Sequence, residues 1–191
     1  MIMQKRIIIA SGNKKELEQL RYMLPRLGYR VVGEAAGGMD ALKVARATAP
    51  DAVLLDDRLP VLDGMQVAKI LTEENLAPAV LMVSQGNKGL VERAREVAAA
   101  FLMRPYLEDQ LYAAVEAAVA THQKYTQLQQ QLHKLQATLQ ARKIVERAKG
   151  ILMKQKGFSE EQAFKVIQQT AMKKRTTMKA VAEAIITGYE L

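Results

Sequence analysis

Two sets of residues in this 191-residue chain have types and spacings suited to chemistry. The first is a group of polar residues that each follow a short apolar run: Ser11 to Asn13, Asp56 to Arg58, Ser84 to Asn87, and Arg104 with Pro105. Where such runs are parallel strands, ligands bind outside their carboxyl ends, so these are the positions at which binding is to be sought. The second set is cationic. Lys143, Arg147, Gly150 and Lys154 are spaced 4, 3, 4, which places them on one stripe of a helix, with Arg142, Lys149 and Lys156 at its border. Lys173, Lys174 and Arg175 form a second cluster suited to holding phosphates. No catalytic triad, phosphate loop or metal cluster accompanies either set, so no enzyme is expected. His122 and His133 stand without Cys or clustered carboxylates and are expected to be solvated helix residues, not metal ligands.

The elements that position the first set are short. Arg6–Ala10, Arg30–Glu34, Ala52–Leu55, Ala79–Val83 and Ala100–Met103 are apolar runs of the kind that strands buried on both faces show. Between them the apolar spacing is helical: Leu17, Leu20, Met23 and Leu24; Ala41, Leu42 and Ala45; Val67, Ile70 and Leu71; Val91, Ala94 and Val97. Five strand and helix units predict an α/β fold, a doubly wound five-stranded parallel sheet.

The stretch DDRLPVLDG, Asp56 to Gly64, resembles the signature of receiver domains, in which the phosphoacceptor aspartate closes the third strand, a proline follows at +4 (Pro60) and a glycine at +8 (Gly64). GGMDALKVA after the second strand and VSQG at the end of the fourth also resemble that family, and the likeness covers residues 5–120. It implies a flavodoxin-like receiver with Asp56 as acceptor, Ser84 as the hydroxyl residue, Phe101 at the aromatic switch position and Arg104 at the site where the family has lysine. Two positions depart from the pattern. Ser11 and Gly12 stand where a receiver carries an acidic pair, and a site without those carboxylates loses most of the charge that offsets dehydration of Mg²⁺, so any Mg²⁺ binding is expected to be weak. Asp57 is expected to point to the other side of the strand end. Arg104 keeps the positive charge of a lysine but not its geometry, and it could pair with unphosphorylated Asp56 and hold one state. These departures point to a degenerate receiver serving as a dimerisation or partner-docking module, the partner being a sensor histidine kinase or a ligand-sensing protein.

From Leu107 to Gly150 the sequence holds neither Gly nor Pro before Gly150 itself, so the last receiver helix can run on. Tyr125, Leu128, Leu132, Leu135 and Leu139 are spaced 3, 4, 3, 4, the seam of a coiled coil, with Gln-rich flanks too polar to be enclosed. A parallel homodimer is expected, with residues 121–140 as its linker helix.

Residues 141–191 read as a small all-α module of three helices. The first is expected to stop at Gly157. The second opens on Ser159 with Gln162 three residues on, a capping box, and buries Ala163, Phe164, Ile167 and Ala171. The third starts near Thr176 or Thr177, buries Met178, Val181, Ala182 and Ile185, and ends at Gly188. So small a module must bury nearly all its apolar residues, and Met153 and Phe164 are expected in the core. Gly150, inside a helix at a cost of roughly 1 kcal/mol relative to alanine, requires close approach either of RNA or of a packing helix. The stretch from Ala141 to Ile186, with Ala148-Lys149-Gly150-Ile151-Leu152-Met153 at its centre, resembles the ANTAR family. That resemblance implies a transcription antiterminator binding paired stem-loops of nascent RNA.

Charge agrees with that division into 1–120, 121–140 and 141–191. Residues 1–120 hold 15 basic and 15 acidic residues, the rest 13 and 5, so the whole net charge of +8 lies in the last third, the footprint of a nucleic-acid-binding segment. Few aromatics lie there, so shape and backbone are the expected readout rather than stacking. A DNA-binding module is the alternative. The absence of Cys, of a signal peptide and of any apolar run near the roughly 18 residues a spanning helix needs points to a soluble cytoplasmic protein without redox chemistry.

Overall fold

A computed structural model describes residues 4–84, 89, 92 and 96–190. The chain divides into two units, one ending at Thr126 and one starting at Gln127. The first contains strands β1 (Arg6–Ala10), β2 (Arg30–Ala35), β3 (Ala52–Asp56), β4 (Ala79–Val83) and β5 (Ala100–Met103), all parallel, in the order β2-β1-β3-β4-β5. Helices α1 (Lys14–Arg26), α2 (Gly38–Thr48) and α3 (Gly64–Glu73) lie between them in sequence. Of the helix expected around Val91, Ala94 and Val97, the first two residues lie outside the described ones, as do Gln85 to Asn87.

Period-2 alternation sorts each strand onto two cores. Ile8, Val53, Leu55, Leu81 and Val83 pack with Leu42 of α2 and with Val67 and Leu71 of α3. Ile7, Ile9, Leu54, Val80 and Met82 pack with Leu20 and Leu24 of α1 and, beyond the sheet, with Leu111 and Val115. Each fully buried side chain of this size contributes about 1.5–3 kcal/mol by leaving water. Gly64 is required at the start of α3, because a Cβ there would lie 2.1 Å from the carbonyl oxygen of Asp56. The helix thus begins directly against the strand end that carries the candidate acceptor.

A single helix, α4 (Glu108–Lys156), ends the first unit and begins the second. It ends before Gly157, whose φ of +67° is the left-handed conformation that closes helices. Helix α5 (Glu160–Lys173) carries the expected capping box of Ser159 and Gln162, and α6 (Met178–Glu190) follows, with Thr177 Oγ1 accepting from the Ala180 amide. The second unit's core is Ala148, Leu152, Ala163, Ile167, Ala171, Val181 and Ala182.

Three expectations for this unit are corrected. Met153 and Phe164 are not core residues; they are 41% and 40% exposed. The buried stripes run at spacings of four, Ala148 and Leu152 on α4 and Ala163, Ile167 and Ala171 on α5. A residue next to such a stripe is turned about 100° away from it. The third helix does not end at Gly188 but passes through it to Glu190.

Candidate functional site

At the carboxyl ends of β1, β3, β4 and β5 three carboxylates converge on one guanidinium. Asp56 closes β3 and is 7% exposed; Ser11 follows β1 and is fully buried. Arg104, in the turn after β5, is placed by its backbone N–H donating to the Val83 carbonyl and by its Nη1 donating to the Met82 carbonyl at 2.6 Å. Its Nε and Nη2 donate to Glu16 Oε1 and Oε2 at 2.6 and 2.8 Å, the bidentate geometry that makes arginine pairs strong. Nη2 also lies 3.0 Å from Asp56 Oδ1, and Nη1 lies 3.2 Å from Asp57 Oδ1. Ser11 Oγ stands 2.9 Å from Glu16 Oε2 and 3.0 Å from Asp56 Oδ2. Its one proton serves one of them at a time. The Arg58 amide donates to Asp56 Oδ1 at 3.2 Å, and Arg58 Nη2 donates to Ser84 Oγ at 2.8 Å. Phe101 is half-buried on β5 against the core that contains Leu81.

Burial works against the Arg104 charge, but its hydrogen bonds to Glu16 and the charges of Asp56, Glu16 and Asp57 outweigh burial and raise its pKa. Burial, then the hydrogen bond with Asp56, pushes the Asp57 carboxyl up against the opposing pull of Arg104. The Tyr106 phenol, which donates to Glu16 Oε1 at 3.2 Å, is likewise raised by burial and by the Glu16 charge.

The pocket corrects one expectation and adds one residue. Asp57 does not point away: its carboxylate faces the same guanidinium as Asp56. Glu16 is the residue that sequence reasoning does not place at the site. Its signal is its position, four residues before Leu20 and eight before Leu24, on the stripe of α1 that is buried. A carboxylate on a buried stripe needs a cationic partner, and Arg104 is it. Gly12 is exposed, and a Cβ there would meet nothing nearer than 4.0 Å, so the missing acidic pair is a chemical and not a steric departure. Among the described residues no group of three or more His, Cys, Asp or Glu side chains is arranged to hold a metal ion. A cation entering between these carboxylates would have to displace the Arg104 guanidinium, which contacts all three. His122 is half-buried rather than solvated, and burial holds its pKa below the usual value.

On the second unit Arg142, Lys143, Arg147, Gly150 and Lys154 are exposed along α4, and Lys173, Lys174 and Arg175 are exposed at the end of α5 and in the turn beyond it. Lys149 departs from expectation. It is 6% exposed, and its Nζ donates to Glu146 at 2.9 Å and to Glu160 at 2.7 Å. It faces inward beside Ala148 and ties α4 to the first turn of α5, so it does not border the exposed stripe. Its pKa is raised by those hydrogen bonds, Glu160 first. Tyr125, Leu128, Leu132, Leu135 and Leu139 all lie between 49% and 63% exposed in the single chain.

A parallel sheet ordered 2-1-3-4-5 with an acidic pocket at its carboxyl edge defines a receiver fold. The family model for the response regulator receiver domain matches residues 7–116, and that for the ANTAR domain matches residues 133–186. The transcriptional regulatory protein PdtaR of Mycobacterium tuberculosis is 39% identical over 183 residues, which span 95% of this chain and 89% of that protein. The signal receiver domain of the response regulator NarL of the same organism is 28% identical with a TM-score of 0.58, over 61% of this chain and 97% of that one. The receiver domain of a sensor histidine kinase from Pseudomonas aeruginosa, with a magnesium ion coordinated in its active site cleft, shares the fold at 24% identity and a TM-score of 0.55, over 62% of this chain and 99% of that one. The chain belongs to the response regulators that join a receiver domain to an ANTAR domain. Both families are regulatory. No helix among the described residues is long and apolar enough to cross a membrane.

Proposed function

We propose that this chain is a signal-responsive, RNA-binding transcription antiterminator that acts as a homodimer on stem-loops of nascent mRNA in the cytoplasm, without enzymatic activity of its own. The observation that carries the reading is the exposed basic face of the segment matched to ANTAR: Arg142, Lys143, Arg147 and Lys154 on α4, with Lys173, Lys174 and Arg175 beyond α5. These cations grip phosphates, and Gly150 lies among them. The division of labour runs 1–120 for signal reception, 121–140 for pairing and 141–191 for RNA. Pairing uses the row from Tyr125 to Leu139, whose exposed apolar side chains a second copy would cover.

In the receiver, Asp56 is the acceptor position, with Ser11, Gly12, Asp57, Ser84, Phe101 and Arg104 around it. The Arg104 guanidinium already occupies the space between Asp56 and Glu16 and is paired with both, so Mg²⁺ binds weakly and phosphorylation of Asp56 is not the normal input. Phosphoryl transfer depends on neutralising charge at the phosphoryl oxygens, and a guanidinium committed to two carboxylates supplies little of it. Regulation then comes by docking of a sensor histidine kinase or a ligand-sensing protein on the receiver.

The test is a labelled RNA carrying two short stem-loops, titrated with the full chain and challenged with unlabelled hairpin RNA or duplex DNA. Hairpin RNA is expected to compete and duplex DNA not; equal competition would transfer the reading to DNA binding.

A further inference from the structure

Gly150 has no explanation inside the fold. It lies six residues before the end of α4, away from any cap, and glycine there weakens the helix relative to alanine. A Cβ at Gly64 would collide with the backbone of Asp56; at Gly150 it would find nothing within 4 Å. Of the two reasons for a glycine in this helix, close packing by another helix of the same chain is therefore removed among the described residues. What remains is something outside the chain that comes close to the backbone.

The surroundings say what that something carries. Lys143, Arg147 and Lys154 share the face with Gly150 and are exposed, and the one acidic residue between Ala141 and Lys156, Glu146, is paired with Lys149. Three cations to no acid on the stripe itself make the face positive by sequence. A second copy would present the same cations and be repelled, whereas a polyanion is drawn in. Between residues 143 and 154 the stripe is about 16 Å long at 1.5 Å per residue, enough to meet several phosphates of one strand. Ala148 and Leu152 pack on the opposite side against Ala163 and Ile167, and Lys149 pairs with Glu160 across the same two helices.

We propose that Gly150 is the point of closest approach of α4 to bound RNA: without a Cβ, the helix lets the sugar-phosphate backbone lie against it between Arg147 and Lys154. This rests on the RNA-binding reading. RNA suits such an approach because its sugar edges and 2′-hydroxyls are displayed on shallow or single-stranded surfaces that a smooth helix face can reach.

The full-length protein and its Gly150→Ala and Gly150→Val variants are titrated with a fluorescent synthetic RNA of two short stem-loops over a series of KCl concentrations. Thermal unfolding and sedimentation are recorded in parallel. Gly150→Ala is expected to melt at the same or a higher temperature and to bind at least tenfold more weakly with an unchanged log–log salt slope, since a steric block removes no charge; Gly150→Val is expected to bind more weakly still. If the wild type ignores the RNA even in dilute salt, the RNA-binding reading itself fails. If the wild type binds and Gly150→Ala binds equally well, the inference is overturned and that reading stands. A lower melting temperature for Gly150→Ala overturns it in favour of a role in the fold, and a loss of self-association overturns it in favour of an interface with a second copy.

Discussion

Arg104 and Glu16 meet as a bidentate pair, Nε to Oε1 at 2.6 Å and Nη2 to Oε2 at 2.8 Å, joining the turn after β5 to the first turn of α1. The same guanidinium holds Asp56 at 3.0 Å. The acceptor position is thus coupled, through one cation, to two elements that lie 88 residues apart in sequence.

Removing the cation tests how much this arrangement contributes. Arg104→Ala leaves Glu16 and Asp56 facing each other with side chains 8% and 10% exposed. Breaking a buried pair on one side costs several kcal/mol, and with Arg104 itself 23% exposed the expected loss is on the order of 3 kcal/mol, the low end of that range. Urea unfolding at neutral pH measures it. A loss under about 1 kcal/mol, the level of a surface pair, would show that the pocket is solvated and the coupling weak.

Asp57 gives the receiver a pH dependence with a definite sign. Its pKa is raised in the folded state from 3.8, chiefly by burial and then by the hydrogen bond with Asp56. Between the unfolded and the folded values the native state binds the extra proton, so stability falls as pH rises through that window. The contribution is therefore absent below the ordinary aspartate range and fully unfavourable above the raised value. Asp57→Asn is expected to flatten this part of the curve, with the two proteins differing more at pH 7.5 than at pH 4. A difference that grows toward acid would mean that the Arg104 attraction at 3.2 Å outweighs burial.

The architecture is legible in the sequence because period and length carry it. Five apolar runs specify the sheet, and spacings of three and four specify the helices, with α3 and α5 opened by capping boxes. The pocket is legible only in part. Ser11 and Arg104 follow strands, Asp56 closes one, and all three can be placed by register, but Glu16 comes from a helix, where its charge reads as an ordinary first-turn acid favoured by the helix dipole. Its spacing of four from Leu20 sets it on the buried stripe, but its partner, Arg104, comes from the turn after β5 and is not legible from that spacing. Asp57 defeats the reading because alternation does not extend past the last residue of β3, where the chain leaves the strand and the period lapses. Lys149 and Phe164 exchange the fates expected of them: the lysine has two carboxylates to satisfy it under cover, and the aromatic ring falls one residue off a stripe that begins with the small Ala163.

A receiver rebuilt toward its family's pattern should regain chemistry. The open space at Gly12 admits a carboxylate, and lysine at 104 would remove the guanidinium that contacts Asp56 at 3.0 Å while held by Glu16. Gly12→Asp combined with Arg104→Lys is expected to gain a beryllofluoride or acetyl phosphate adduct at Asp56 in the presence of Mg²⁺. Intact-protein mass spectrometry reads the acetyl phosphate product, with the wild type expected to stay unmodified. Stoichiometric modification of the wild type would show instead that Arg104 yields to the phosphoryl group.

The apolar row on α4 predicts the assembly. Leu132 and Leu135 are 55% and 63% exposed in the single chain, and Leu132→Asp with Leu135→Asp would put charges at two consecutive seam positions. Sedimentation is expected to shift from dimer to monomer. Affinity for RNA with two stem-loops should then fall by at least tenfold, since linked sites gain roughly 10²–10⁴ from effective concentration. An RNA with one stem-loop should be bound almost as before, and a monomeric wild type would remove the seam from the reading.

Charge and structure separate in the last pair of variants. Lys143→Ala removes an exposed cation of the α4 stripe, so the log–log salt slope of RNA binding is expected to fall by roughly 0.7–0.9 for each phosphate that is no longer neutralised, with unfolding unchanged. Lys149→Ala removes a cation that is already engaged by Glu146 and Glu160. It should leave the slope unaltered, lower the melting temperature of the C-terminal unit and weaken binding only in proportion to that loosening. Lys149→Met, which keeps the buried stem of the side chain, should recover part of the stability but none of the ion pair. If Lys149→Ala instead lowered the slope as Lys143→Ala does while the unit melted normally, Lys149 would have to leave its carboxylates to reach phosphate, and the inward orientation would hold only for the RNA-free protein.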